Sequence, residues 1–294
     1  MQQLKTVQDC LIWSEKCFND ANLYFGHGTD NAWDEAVSLI LFVLNLPLDT
    51  DNSILSRKIT DEQAQKIMQL VNDRCEKRVP LAYLTHQAWF MRLPFYVDER
   101  VLVPRSPFGE WIAKAFSPWV DNKKVHRIAE MGTGSGCMAI AAALVFEQAT
   151  IDAVDIDHKA LAVAKKNVED YKLTQRVHLI HSDLFTQLPK LKYDIIMSNP
   201  PYVSKAEMQT LPDEYLSEPR HALYAEKNGL AFVEQILKQA AEYLTEEGIL
   251  VVEVGNSMQA LQNQYPRVPF IWLEQEFGGD GLFLLERKIL LHYF

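Results

Sequence analysis

Asn199-Pro200-Pro201-Tyr202 sets an amide, two stiff residues and an aromatic face directly after the apolar run from Tyr193 to Ser198. Proline fixes its own φ and drives the residue before it into extended backbone, so Asn199 and Pro200 are each restricted by the proline that follows. The Asn199 side-chain oxygen, the Pro200 carbonyl and the Tyr202 ring are then presented together. Such a set can grip a planar NH2 group with two acceptors and one stacking face. Standing alone, the tetrapeptide reads first as a Pro-Pro turn ending a strand.

A second group of chemically suggestive residues lies upstream. Glu130-Met131-Gly132-Thr133-Gly134-Ser135-Gly136 closes one apolar run and opens a helical one. Glycines at alternate positions let backbone pass close beneath a ligand, and the helix start supplies free N–H groups beside it. The spacing departs from the G-x-G-x-x-G of dinucleotide folds. Glu130 would repel a pyrophosphate but attract a cationic amino-acid moiety carrying an ammonium and a sulfonium. At the next strand end, Asp155 is placed to take the two hydroxyls of a ribose, while Asp157 reads as the cap of the following helix. At the third, Asp183 can accept from an adenine amine, with Leu184 or Phe185 covering the ring. Three acids and three glycines at successive strand ends predict one crevice.

Elements that position these groups follow from periodicity. Apolar residues recur at three- and four-residue steps over Leu4 to Phe18, Ala32 to Leu46 and Ala64 to Cys75, predicting a helical domain over residues 1–79. Thr60-Asp61-Glu62-Gln63 has the form of a capping box opening the third helix. Residues 80–107 are predicted to form an aromatic hairpin linker, with Ala88 to Met91 and Phe95 to Val97 flanking a turn at Leu93-Pro94. From residue 108 to 294, strands and helices alternate, which predicts a parallel sheet with covering helices. Strands are expected at Val125 to Ala129, Thr150 to Val154, Val177 to Ile180, Tyr193 to Ser198, Ile249 to Val254, Phe270 to Leu273 and Phe283 to Arg287. The connection from Glu274 to Leu282 is too short for a helical crossover, so the last strand should run antiparallel.

Composition narrows the function classes. A net charge of −10 argues against a wide phosphate-contacting surface and fits a basic protein partner better. Apolar runs such as Leu39 to Leu44 are far short of a membrane span, and Met1 to Lys5 lack a signal-peptide layout, so a cytoplasmic location without membrane association is expected. Cys10, Cys17, Cys75 and Cys137 form no C-x-x-C pair, and no metal site is indicated. None of the eight histidines stands beside a nucleophile, and His178 and His181 read as strand or surface residues.

Together these features resemble the class I S-adenosylmethionine-dependent methyltransferases, whose fold is Rossmann-like with a seven-stranded, mostly parallel sheet. With the helical N-terminal domain, the aromatic hairpin and Val103-Pro104-Arg105-Ser106-Pro107, nearly the whole chain resembles the HemK/Prm family of protein glutamine methyltransferases. Pro104 to Pro107 and Phe95 to Arg100 are most similar to the PrmB branch, which methylates a glutamine of large-subunit ribosomal protein L-three. The branch acting on peptide chain release factors usually carries Pro-Arg-Pro there. The resemblance implies S-adenosyl-L-methionine as cofactor, bound by Glu130, Gly132, Thr133, Gly134, Gly136, Asp155, Asp183, Leu184 and Asn199. It implies a substrate glutamine held by Asn199, Pro200, Pro201 and Tyr202, with Asn199, Pro200 and Tyr202 carrying the catalysis. Glu130 departs from the commoner Asp by one methylene. A DNA amino-methyltransferase would use the same tetrapeptide on a flipped base. It would need a basic recognition domain, whereas residues 1–79 hold 8 Lys and Arg against 12 Asp and Glu. A release-factor methyltransferase and a non-catalytic ribosome assembly factor are the other readings.

Overall fold

The computed structural model describes residues 4–276 and 278–294, so the reading of Met1 to Gln3 lies outside the described residues. The chain divides into two compact units, one of residues 1–88 with 212–217, the other of residues 89–211 with 218–294.

In the first unit, helices Val7–Asp20, Ala32–Leu44 and Asp61–Lys77 are followed by a short helix, Leu81–Thr85. Each long helix starts where a side chain takes an orphan N–H: Thr6 and Thr60 form capping boxes with Asp9 and Gln63, and Asn31 caps the second helix. The apolar stripes meet in a core that includes Val7, Phe18, Leu39, Ile40, Ile67 and Val71. Arg74, 1% exposed, lies in that interior between Glu35 and Glu214. Glu214 Oε1 also accepts from the Arg78 guanidinium at 2.9 Å and from the Tyr24 N–H at 3.0 Å.

The hairpin pairs β1 (Ala88–Phe90) with β2 (Leu93–Phe95). Its turn is Met91-Arg92 rather than Leu93-Pro94, because both residues take positive φ, 51° and 61°, as a two-residue hairpin turn requires. Pro94 instead sits within the second strand of this two-stranded ribbon, where a missing N–H can face outward.

The large sheet contains β3 (Arg127–Met131), β4 (Thr150–Asp155), β5 (Val177–His181), β6 (Tyr193–Ser198), β7 (Leu244–Glu253), β8 (Ile271–Trp272) and β9 (Leu282–Glu286) in the order β5-β4-β3-β6-β7-β9-β8. β9 runs antiparallel to both neighbours, as expected from the short connection before it. Alternating side chains feed two cores: Ile128, Ile151, Ile195 and Val251 on one face, Ala129, Val154, Ile196 and Val252 on the other. Helix Cys137–Val145 covers the first face, and helices Ala231–Tyr243 and Arg287–Tyr293 cover the second. The C-terminal helix was not anticipated from the sequence. Among the described residues no helix is long and apolar enough to cross a membrane.

Strand order reverses at β3: the chain builds outward through β4 and β5, then returns to β3's other side as β6. A crevice opens at the carboxyl ends of the strands at such a switch point.

Candidate active site

β3 and β6 end side by side in register, with Met131 opposite Ser198. Ser198 is fully buried and its hydroxyl donates to the Met131 carbonyl at 2.9 Å, so the glycine loop and the tetrapeptide leave the sheet as neighbours. Between them lies a cavity of about 300 Å³. It is lined by Glu130, Gly132, Thr133, Gly134, Asp155, Asp183, Leu184, Asn199, Pro200 and Pro201.

The glycine loop is bent over the end of β4, since the N–H groups of Gly132 and Thr133 both donate to the Val154 carbonyl. Gly132 and Gly134 have φ of 77° and 54°, and a Cβ built on Gly134 would meet nothing within 4 Å. Gly134 is also one of the residues lining the cavity. Gly136 differs, for it does not line the cavity. Its φ of 81° starts the helix, and a Cβ there would come within 3.2 Å of the Ala164 Cβ, so its role is packing.

Glu130 is 1% exposed and accepts the Thr133 hydroxyl at 2.7 Å. Burial raises its carboxyl to about 8, against that hydrogen bond and with a smaller push from the Asp155 charge. The Asp155 carboxyl is also raised by burial, opposed by the N–H groups of Asp157 and Gly134, each donating at 2.9 Å. Each carboxylate oxygen thus has one bond to backbone and further lone pairs for a ligand. Asp157 caps helix His158–Asp170 through the Lys159 N–H and lies 3.3 Å from His221, which also lines the cavity. Of the two candidate ring covers after β5, Leu184 lines the cavity and Phe185 is buried against Tyr243.

Tyr202 does not line the cavity. Its hydroxyl donates to Glu253 at 3.0 Å and its carbonyl accepts from Ser257 at 2.8 Å. Gly255 makes room for the ring, since a Cβ there would lie 2.5 Å from it.

One wall escaped the reading of the sequence. Residues 100–106 also line the cavity. Arg105 forms a fork with Glu218, both N–O distances 2.7 Å, and Glu218 also accepts the Val103 N–H. Asn167, 1% exposed, ties the backbone just after the hairpin to the glycine loop: it bonds the N–H and carbonyl of Tyr96 and the carbonyl of Ser135. An Asn on the buried helical stripe of Ala160, Val163, Ala164 and Val168 was the available signal.

Comparison with known proteins gives the same picture. A family model described as "Methyltransferase small domain" matches residues 113–229. The chain is 47% identical over 292 residues to a ribosomal protein uL3 glutamine methyltransferase of Neisseria gonorrhoeae, covering 99% of this chain and 97% of the relative. The protein of the same name from Neisseria meningitidis serogroup A is 47% identical over 99% of this chain and 96% of its own length. Among solved structures, the hMettl16 catalytic domain in complex with a 3′UTR hairpin shares the fold, with a TM-score of 0.52 at 19% identity over 79% of this chain and 84% of that one.

Proposed function

Because the chain belongs to the family of ribosomal protein uL3 glutamine methyltransferases, we propose that it methylates the side-chain amide nitrogen of a glutamine in ribosomal protein uL3, in the cytoplasm. The observation that carries the proposal is that one cavity holds both the glycine loop with its buried acid and the first three residues of Asn199-Pro200-Pro201-Tyr202.

The cofactor is S-adenosylmethionine, and the residues present fit it. Gly134 offers open space where any other residue would project a side chain, Glu130 offers a carboxyl to an ammonium, and Asp155 offers lone pairs to hydroxyls. Gly132, Thr133, Asp183 and Leu184 complete the holding set. When bound, the cofactor supplies a methyl group made electrophilic by its sulfonium.

A glutamine amide is a poor nucleophile, since its nitrogen lone pair is delocalised into the carbonyl. In this reading the Asn199 side-chain oxygen and the Pro200 carbonyl accept its two N–H bonds and aim the lone pair. Orientation of this kind supplies roughly 7 to 11 kcal/mol in favourable cases, which removes the need for a strong base. The nitrogen gains a methyl and becomes acidic, and its proton then leaves to water. Tyr202, outside the cavity, secures the end of the turn rather than stacking on the amide.

The deciding experiment incubates the protein with labelled cofactor and, separately, uL3 and peptide chain release factors, then locates the added methyl by mass spectrometry. Methylation of one glutamine in uL3 is expected. Labelling confined to a release factor would overturn the substrate reading.

A further inference from the structure

At the end of β7 stands a carboxylate that the chemistry above does not use. Glu253 is 4% exposed, and its two oxygens are divided between two hydroxyls. Oε1 accepts from Tyr202 at 3.0 Å and Oε2 from Ser106 at 2.5 Å. The nearby cation, Arg105, is engaged by Glu218. A buried carboxylate without a direct counter-charge is costly, and an apolar residue would fill the space at less cost. One acceptor oxygen for each of two hydroxyls is an orienting arrangement.

Where those hydroxyls lie gives the arrangement its meaning. Tyr202 ends the acceptor turn, and Ser106 lies in the Pro104 to Pro107 segment, of which Pro104, Arg105 and Ser106 line the same cavity. The remaining contacts of Tyr202 restrict it further. Ser257 holds its carbonyl, and Gly229 passes so close that a Cβ would lie 2.1 Å from that oxygen. The ring lies on Gly255, two residues beyond Glu253.

We propose that Glu253 is the positioning residue of the acceptor turn, coupling the Tyr202 hydroxyl to Ser106 so that the turn and the Pro104 to Pro107 segment keep a fixed separation. This rests on the reading of Asn199 and Pro200 as the acceptors of the substrate amide. Glu253 touches neither substrate nor cofactor. It fixes the far end of a turn whose near end does the gripping, and small misplacements of a reacting pair are expensive in rate. The serine of the Pro104 to Pro107 segment thereby gains a specific role, since a proline in its place would have no hydroxyl to donate.

The test is a double-mutant cycle on uL3 methylation, read as kcat, KM and cofactor Kd. Glu253→Ala and Tyr202→Phe are each expected to lower kcat roughly tenfold, the size set by a hydrogen bond to a charged group, with cofactor Kd unchanged. The double variant should be no slower than the slower single one. Glu253→Gln, which keeps one acceptor oxygen, should recover most of the rate. Independently of turnover, the Tyr202 hydroxyl proton should give a downfield, slowly exchanging NMR signal that Glu253→Ala abolishes. Losses that multiply in the double variant, or a silent Tyr202→Phe, would overturn the role of Glu253 while leaving the methyltransferase reading intact. Tyr202→Phe removes a single oxygen, so it reports even where Glu253→Ala folds poorly. A wild-type protein that leaves uL3 unmodified would instead overturn the substrate assignment.

Discussion

Asn199 and Glu130 line one cavity, and the separate roles proposed for them yield separable outcomes. Asn199→Ala removes a side-chain acceptor while leaving the Pro200 carbonyl in place. Turnover should fall on the order of 100-fold, with cofactor affinity held within about twofold, as single-turnover kinetics and calorimetry would register. Retention of near wild-type turnover would remove Asn199 from the gripping role. Glu130 speaks through pH. Its folded carboxyl is raised from 4.5 to about 8, so between those values the folded chain keeps a proton that the unfolded chain has lost. Its contribution to stability is therefore fully present below about pH 4.5 and is lost as pH rises through about 8. A bound ammonium favours the ionised form and expels that proton, so cofactor affinity should rise with pH up to about 8. Glu130→Gln should flatten both curves, measured by thermal denaturation and by calorimetry over roughly pH 6 to 9.

At the scale of elements, the glycine loop separates two functions that its sequence presents as one. Gly134→Ala and Gly136→Ala both force a left-handed φ on an L residue, which costs about 1–2 kcal/mol, and both should lower Tm by a few degrees. Only Gly134→Ala places its methyl in open space at a residue that lines the cavity, so only it should weaken cofactor binding. Equal losses in the two variants would return Gly136 to the binding set. The loop, the alternation of strands with helices and the antiparallel last strand were legible because each is a local pattern: alternating glycines, short apolar runs between helical segments, a connection too short for a helix. The hairpin turn was misplaced because Pro94 is the louder signal, while Met91 and Arg92 enter the left-handed region without the usual Gly or Asn. Glu253 was invisible for another reason. Nothing around a strand-end glutamate announces a serine 147 residues away in the chain. The wall of residues 100–106 depends likewise on Glu218, whose partners Val103 and Arg105 only folding brings near.

For the molecule as a whole, a net charge of −10 sets the long-range field. A substrate built to lie against RNA phosphates carries an excess of Lys and Arg, so association should be steered electrostatically and screened by salt. Raising ionic strength from about 0.05 to about 0.3 M should increase KM for uL3 and leave kcat unchanged, whereas a salt-independent KM would argue for recognition by shape alone. The first unit has its own whole-chain signature, being assembled from residues 1–88 and a six-residue stretch, 212–217. Breaking a buried ion pair costs about 3–5 kcal/mol, so Glu214→Ala, which strips Arg74 of one of its two carboxylates, should melt this unit well below wild type by calorimetry. That composite origin also gives the unit a timetable. Arg74 leaves the ribosome 140 residues ahead of Glu214, a delay of roughly 7 to 28 s at about 5–20 residues per second. The earliest part of the protein to be synthesised is thus among the last to be completed. Throughout that interval a nascent enzyme has an interior arginine with half of its anionic company, still waiting on a stretch of chain that has not been translated.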